Sequence, residues 1–384
     1  MKLNPYLTQK REYPLFIYAR KAEELKAQGV DVINLTIGDP LDDTYPAVRE
    51  ATIKALQGKT NSAYPASKGS KELLEAVSDW AMRNHDLNLD PNNQIISCNG
   101  SKEAIFHAAM LFDWSDGGEI FIPSLSYPVY ENSAALHSIK YKYLPLTEEN
   151  NFLPDLDAIS DEDWQVCKMF WINSPHNPTT AIADLEYLQK LVDLAEKHNF
   201  MICADECYND IHYGPVPPSI LDTKPSKNWI LFRSLSKRSH MTGYRCGAIM
   251  SLNEEIIAAL IRMRAPMGQG SPTFIQAGAI QAWKDDQHPK DFTVGYRKKK
   301  KMLQNALEEK GFKVFGGGAS FYLWFSHSEI KESTKILDLF IEQGIVITPG
   351  TAFGPDGEGY VRMVFCVTEE VCRKTAERIG KLNI

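Results

Sequence analysis

Ser234-Leu235-Ser236-Lys237-Arg238-Ser239-His240-Met241-Thr242-Gly243-Tyr244-Arg245-Cys246-Gly247 follows closely on the apolar run Trp229-Ile230-Leu231-Phe232. The run reads as a short buried strand that ends where the hydroxyl residues begin. That places Lys237 at a strand end. An amine there can condense with an aldehyde when its surroundings lower its pKa. The small hydroxyls beside it, with Arg245 further on, are residue types that hold a phosphate. A surface loop with a solvated lysine is the plainer reading of the same residues. What the other strand ends carry decides between the two.

The segments before this stretch repeat one pattern. Gln94-Ile95-Ile96-Ser97-Cys98 leads into Asn99-Gly100-Ser101-Lys102 and a helix. Glu119-Ile120-Phe121-Ile122 leads into Pro123-Ser124-Leu125-Ser126-Tyr127-Pro128 and another helix. Lys168-Met169-Phe170-Trp171-Ile172 leads into Asn173-Ser174-Pro175-His176-Asn177-Pro178-Thr179. Leu185 to His198 is an amphipathic helix with Asp184 placed to cap its start. Met201-Ile202-Cys203-Ala204 leads into Asp205-Glu206-Cys207-Tyr208. Short apolar strands alternating with helices predict an α/β fold, a mostly parallel sheet flanked by helices. Ligands of such sheets bind beyond the carboxyl ends of the strands. Gly100, Ser101, Lys102, Tyr127, Asn177, Asp205 and Lys237 all fall there.

The flanks differ. A helix is expected over Phe16 to Lys26, a strand over Asp31 to Ile37 that stops at Gly38-Asp39-Pro40, and helices over Pro46 to Leu56 and Lys71 to Arg83. Asn61-Ser62-Ala63-Tyr64-Pro65-Ala66-Ser67-Lys68-Gly69 is rich in turn formers. Beyond the lysine stretch come a helix over Asn253 to Arg264, the irregular Ala265-Pro266-Met267-Gly268-Gln269-Gly270-Ser271-Pro272, and from about residue 290 a smaller α+β unit. The expected division is a large domain over 41–288 and a small domain made from 1–40 with 289–384.

The 384 residues carry a net charge of -7, a balance that argues against a nucleic-acid partner. The basic run Arg297-Lys298-Lys299-Lys300-Lys301 reads as the solvated face of a helix. Seven cysteines at irregular spacing suit reduced, buried thiols rather than a disulfide framework. Cys203, Cys207 and His212 lack the second pair that a metal site would need, so no metal is expected. Met1-Lys2-Leu3-Asn4-Pro5 lacks the apolar core of a signal peptide, and no apolar run approaches the ~20 residues that span a bilayer. A cytoplasmic protein with no membrane partner is the expectation.

The ordered set Asn177-Pro178, Asp205-x-x-Tyr208, Ser-x-Ser-Lys237 and Arg245 resembles the class I/II aminotransferases of pyridoxal-phosphate fold type I, the aspartate-aminotransferase-like family, over nearly the whole chain. The resemblance implies pyridoxal 5'-phosphate bound through Lys237, which then carries the proton once substrate displaces it. It implies Asp205 on the pyridine nitrogen, keeping the ring an electron sink. Tyr208 and Asn177 would face the ring's phenolic oxygen, and Tyr127 would stack on the ring. Gly100, Ser101, Lys102, Ser234, Ser236 and Arg245 would seat the phosphate at a helix start. Tyr64, in Asn-x-x-Tyr-Pro, would reach the phosphate of a neighbouring subunit, which implies a homodimer with shared sites. Arg362 would grip the substrate α-carboxylate, with Gly38 leaving room beside it and Asn173 in support.

The implied reaction is ping-pong transfer of an amino group from an L-amino acid to a 2-oxo acid. Ser-Lys-Arg-Ser and the stretch 265–272 resemble the N-succinyldiaminopimelate aminotransferase branch. N-succinyl-LL-2,6-diaminopimelate with 2-oxoglutarate, a step of lysine biosynthesis, is therefore the expected pair. Aspartate, alanine, aromatic or LL-diaminopimelate specificity stays open. A dicarboxylate substrate would want a second cation, for which Arg238, Lys102, Arg20 and Arg264 are candidates. A C–S β-lyase would use the same lysine, aspartate and arginine. A pyridoxal-binding regulator would need a DNA-binding segment, for which the chain before Gly38 is too short.

Overall fold

A computed structural model describes residues 1–8, 14–58 and 63–384, with nothing described for the Leu15 side chain. Asn61 and Ser62, the start of the expected turn-rich loop, lie outside the described residues. In chain order the strands are β1 (Ile33–Asn34), β2 (Ile95–Cys98), β3 (Glu119–Pro123), β4 (Tyr141–Leu144), β5 (Cys167–Asn173), β6 (Met201–Asp205), β7 (Trp229–Ser234) and β8 (Gly247–Met250). They continue with β9 (Phe312–Phe315), β10 (Tyr322–His327), β11 (Ile345–Val346), β12 (Thr348–Pro349) and β13 (Tyr360–Val364).

Seven of these form one sheet in the order β2-β8-β7-β6-β5-β3-β4, parallel throughout except for β8. Because β8 runs against both of its neighbours, β2 shares the direction of β7. Its end therefore reaches the same edge as the ends of β5, β6 and β7. The register pairs Asn173 with Asp205, and Asp205 with Phe232. Successive strand ends are thus level, as a common site requires. Apolar side chains of both sheet faces are buried, as parallel strands covered on two sides demand.

The flanking helices obey local rules. Asp184 accepts the Tyr187 amide at 2.8 Å and starts the helix Leu185–His198, whose Leu188, Leu191, Val192 and Ala195 are buried. A second sheet, β12-β13-β10-β9, is wholly antiparallel and packs beneath the helices His288–Glu308 and Glu369–Ile379. β1 pairs parallel with β11, so the N-terminal strand belongs with the C-terminal third of the chain.

Three expectations need amendment. The strand over Asp31 to Ile37 is ladder-paired only at β1. Beyond it Leu35 changes partners, donating to Val346 but accepting from Val364 of β13. Lys237 sits in a single helical turn, Leu235–Arg238, whose start is capped by Ser234 Oγ accepting the Ser236 amide at 3.1 Å. The basic run is not wholly a solvated face, because Lys299 is buried and pairs with Asp42 at 3.1 Å.

Candidate active site

A cavity of about 290 Å³ opens at the carboxyl edge of the large sheet. It is lined by Gly38, Ser101, Lys102, Tyr127, Asn173, Asn177, Asp205, Tyr208, Ser234, Ser236, Lys237, Arg245 and Arg362. Nearly the whole expected constellation thus meets in one place. Phe16, Ile37, Asp39, Cys207, Thr242 and Tyr322 complete the lining.

Lys237 Nζ donates to the Gly38 carbonyl at 2.5 Å. Burial lowers its pKa below the ordinary 10.5, against the opposing pull of Cys366 and Asp39. A buried amine that sheds its proton more readily is the better nucleophile. Across the cavity, Asp205 closes β6 and is 4% exposed. Its Oδ2 accepts from the Tyr130 hydroxyl at 2.7 Å, and burial raises its pKa. Such a carboxylate gains from a cationic N–H partner, so its environment suits a protonated ring nitrogen. Asn173 Nδ2 donates to the Asp205 carbonyl at 2.7 Å, while its Oδ1 accepts the Asn177 amide at 2.7 Å. One side chain therefore ties the ends of two strands.

The phosphate-type corner is built from backbone as much as from charge. Ser101 opens the helix Ser101–Ala108, and Gly100 precedes it with φ 78°. Arg245, itself at φ 57°, donates from Nη2 to the Asn99 carbonyl at 3.0 Å. A Cβ on Gly100 would stand 2.5 Å from that nitrogen. Gly100 does not line the cavity; it makes room for the arginine that does. Lys102 lies 5.8 Å from the centre of the Tyr127 ring. Burial, with Arg245 nearby, lowers its pKa.

Arg362 of β13 is 1% exposed, with Nη1 donating to Asn177 Oδ1 at 2.8 Å and Nη2 to the Thr36 carbonyl at 2.5 Å. Its guanidinium lies 4.5 Å from the Tyr322 ring and 4.6 Å from the Phe353 ring. The space at Gly38 has a different occupant from the one expected. A Cβ there would come within 3.0 Å of the Tyr322 hydroxyl and 2.9 Å of Tyr322 Cε1. The room serves Tyr322.

Several sequence-predicted residues lie elsewhere. Tyr64 is fully exposed and outside the cavity lining. Arg238 is 2% exposed and points away from the cavity, bonding Asp210 and Asp286 and the carbonyls of Ala282 and Asp285. Arg264 is buried in a two-pronged pair with Glu103, both contacts at 2.8 Å. Arg20 lines a neighbouring cavity of about 820 Å³. Of the four candidate second cations only Lys102 faces the site. Cys207 Sγ lies 3.0 Å from Ser101 Oγ, and His212 Nδ1 lies 2.9 Å from the Gly214 carbonyl oxygen. Among the described residues no cluster of three or more His, Cys, Asp or Glu could hold a metal ion. None of the described helices is long and apolar enough to cross a membrane.

Residues 30–379 match the family Aminotransferase class I and II. The chain belongs to that family. It is an aminotransferase that uses pyridoxal 5'-phosphate. The LL-diaminopimelate aminotransferase of Aquifex aeolicus is 38% identical over 378 residues, 97% of each chain. That of Maridesulfovibrio salexigens is 37% identical, covering 96% of this chain and 97% of its own. Among solved structures, substrate-bound BacF from Bacillus subtilis superposes with a TM-score of 0.94 at 25% identity, covering 100% of this chain and 99% of its own. A probable N-succinyldiaminopimelate aminotransferase of Thermus thermophilus gives a TM-score of 0.89 at 26% identity, covering 96% and 100%.

The cavity residues fit the cofactor. They offer a depressed lysine, a buried carboxylate on the far wall, an aromatic side chain, and a helix start flanked by hydroxyls and two cations. Tyr130 and Tyr322 were not singled out from sequence. Tyr322 lies in the apolar run Phe321–Phe325 and Tyr130 at the start of a helix, and a buried tyrosine hydroxyl needs a partner. That need was the available signal.

Proposed function

We propose that the chain transfers the amino group of LL-diaminopimelate to 2-oxoglutarate, a step of lysine biosynthesis. The observation that carries this reading is the 38% identity, over 97% of both chains, to an LL-diaminopimelate aminotransferase. It replaces N-succinyl-LL-2,6-diaminopimelate as the preferred donor. The Ser-Lys-Arg-Ser signature that favoured the succinylated substrate loses its physical basis, because Arg238 is turned away from the cavity. The lining supports the change. Asp39 and Lys102 both border the site, an anion and a cation. The distal end of LL-diaminopimelate carries an ammonium that suits Asp39, while Lys102 serves the phosphate. Succinylation replaces the ammonium with an amide and a further carboxylate, which Asp39 would repel.

When bound, pyridoxal 5'-phosphate supplies an electron sink for the charge left when the substrate Cα–H bond breaks. The chain's own residues do the rest. Arg362 binds the α-carboxylate, and its hydrogen bonds to Asn177 and Thr36 fix the guanidinium plane. Lys237 holds the cofactor and afterwards moves the proton at Cα. Asp205 would keep the ring nitrogen protonated, Tyr127 would support the ring, and Tyr208 with Asn177 would serve the phenolic oxygen. Ser101, Lys102, Ser234, Ser236 and Arg245 hold the phosphate, with Gly100 making room. Tyr64 acts from a second copy of the chain in a homodimer, and its exposure here supports that assignment.

The test is a half-reaction screen. Purified protein loaded with cofactor is mixed with LL-diaminopimelate, its N-succinyl derivative, glutamate, aspartate, alanine and phenylalanine. Loss of the visible cofactor band is then followed. Fast conversion by LL-diaminopimelate and glutamate is expected. Preference for the succinylated compound would overturn the substrate assignment. Pyruvate release from cystathionine without an oxo acid would favour the lyase.

A further inference from the structure

Tyr322 has no role in the account so far, yet it touches three of its parts. Its hydroxyl lies 2.7 Å from the Tyr208 hydroxyl. Its ring lies 4.5 Å from the Arg362 guanidinium. Its edge fills the space that the missing side chain of Gly38 leaves open. Both tyrosines are buried, Tyr208 at 7% and Tyr322 at 2% exposure, and both line the cavity.

A phenol has one proton to donate, so only one of the pair can donate to the other. Whichever donates has spent its proton. The other keeps its own for a different acceptor. We propose that Tyr322 donates to Tyr208 and so turns the Tyr208 proton into the cavity, toward the phenolic oxygen of the cofactor, which makes Tyr322 a positioning residue linking the carboxylate grip of Arg362 to the cofactor. This rests on the reading that Tyr208 faces that oxygen.

The direction of donation follows from the charges. A guanidinium against the Tyr322 ring stabilises negative charge on the phenol, which polarises its O–H bond and makes it the stronger donor. Among the described residues no cation lies over the Tyr208 ring. Burial raises the pKa of both phenols, Tyr208 well above its ordinary value, while Tyr322 is pulled back to about 12 by the Arg362 cation and by the bond to Tyr208 itself. The more acidic phenol donates to the less acidic one. Besides Arg362, the titratable groups facing the pair are Asp205, Cys207 and Cys366. None is placed between the two hydroxyls.

A consequence follows for substrate binding. A carboxylate on Arg362 neutralises the charge that polarises Tyr322. The Tyr208 proton is then offered less strongly to the cofactor. Occupancy of the carboxylate site is thereby reported to the cofactor through Tyr322, beside the link that Arg362 makes through Asn177.

The test reads the pH midpoint of the visible band of the loaded protein, not its turnover. Tyr322→Phe keeps the ring and removes the hydroxyl. A hydrogen bond to the phenolic oxygen favours the deprotonated form of the linkage, so weakening it raises the midpoint. Tyr322→Phe is expected to raise the midpoint by about half a pH unit, the scale of one neutral hydrogen bond. Tyr208→Phe is expected to raise it further. In the Tyr208→Phe background, Tyr322→Phe should add nothing. Saturating succinate, a dicarboxylate with no amino group to react, should raise the wild-type midpoint and raise that of Tyr322→Phe less. An unmoved midpoint in Tyr322→Phe, an added shift in the double variant, or an equal succinate response would each overturn the inference. A wild-type protein that forms no visible band would instead overturn the reading on which it rests. Near-ultraviolet circular dichroism of each cofactor-free variant checks that the fold is kept, so that a shift reflects the lost hydroxyl.

Discussion

Gly38→Ala separates two explanations of one small residue. If the space at Gly38 admits substrate, an added methyl obstructs binding and leaves the empty protein unharmed. If the space holds Tyr322, the empty protein suffers. The geometry favours the second. The new Cβ would fall within 3.0 Å of the Tyr322 hydroxyl, 2.9 Å from its Cε1 and 3.0 Å from Phe321 Cε2. Neither ring retreats easily. Tyr322 is held by the 2.7 Å bond to Tyr208 and by Arg362 against its face, and Phe321 is fully buried. Overpacking of this kind costs about 1–3 kcal/mol. Moving Tyr322 far enough to relieve it breaks the bond to Tyr208, adding roughly 1 kcal/mol. Denaturant unfolding of cofactor-free protein should therefore show Gly38→Ala destabilised by about 2–4 kcal/mol. Adding Tyr322→Phe removes the nearest atom but leaves Cε1 and the Phe321 contact. The double variant should recover about 1 kcal/mol relative to the sum of the single changes. Additive effects, or a Gly38→Ala protein as stable as wild type with only a raised KM, would refute the reasoning.

Three further outcomes are expected. Arg362→Ala should raise KM for both donor and acceptor, since each presents an α-carboxylate, with a loss of about 2 kcal/mol or more in kcat/KM, and lysine should not restore it; steady-state kinetics of both half-reactions check this. Arg238→Ala removes one of two cationic partners from Asp210 and from Asp286, which keep Arg233 and Arg83, and should cost about 2 kcal/mol in unfolding experiments while the ratio of kcat/KM between donors stays unchanged. In cofactor-free protein the rate of cofactor capture should rise with pH as the Lys237 ammonium loses its proton, with a midpoint below the ordinary 10.5 because burial disfavours the charged form; stopped-flow mixing across pH measures it.

The strand-end constellation was legible because it obeys short-range rules. An apolar strand, a polar end and a capped helix recur from Ile95 to Ser234, and the topology brings those ends to one edge. Lys237, Asp205, Asn177 and Ser101 could be read this way because each lies just past an apolar run. Tyr322 and Tyr130 could not, since their partners stand 114 and 75 positions away. From sequence Tyr322 is one more aromatic in an apolar strand. Arg238 stood among the four candidate second cations for the same reason. Its neighbour Lys237 faces the cavity, but one helical position turns it toward Asp210 and Asp286, which lie 28 and 48 positions away. The role of Gly38 was half legible: a small residue was required, but the side chain that requires it comes from β10.

Lys237 is proposed to hold the cofactor at the meeting point of these strand ends. Borohydride reduction of the loaded protein, digestion and mass spectrometry of the labelled peptide test it most directly. A single pyridoxyl label on Lys237, and none in Lys237→Ala, is expected. A label on Lys102 or any other lysine, or a visible band that survives Lys237→Ala, would contradict it.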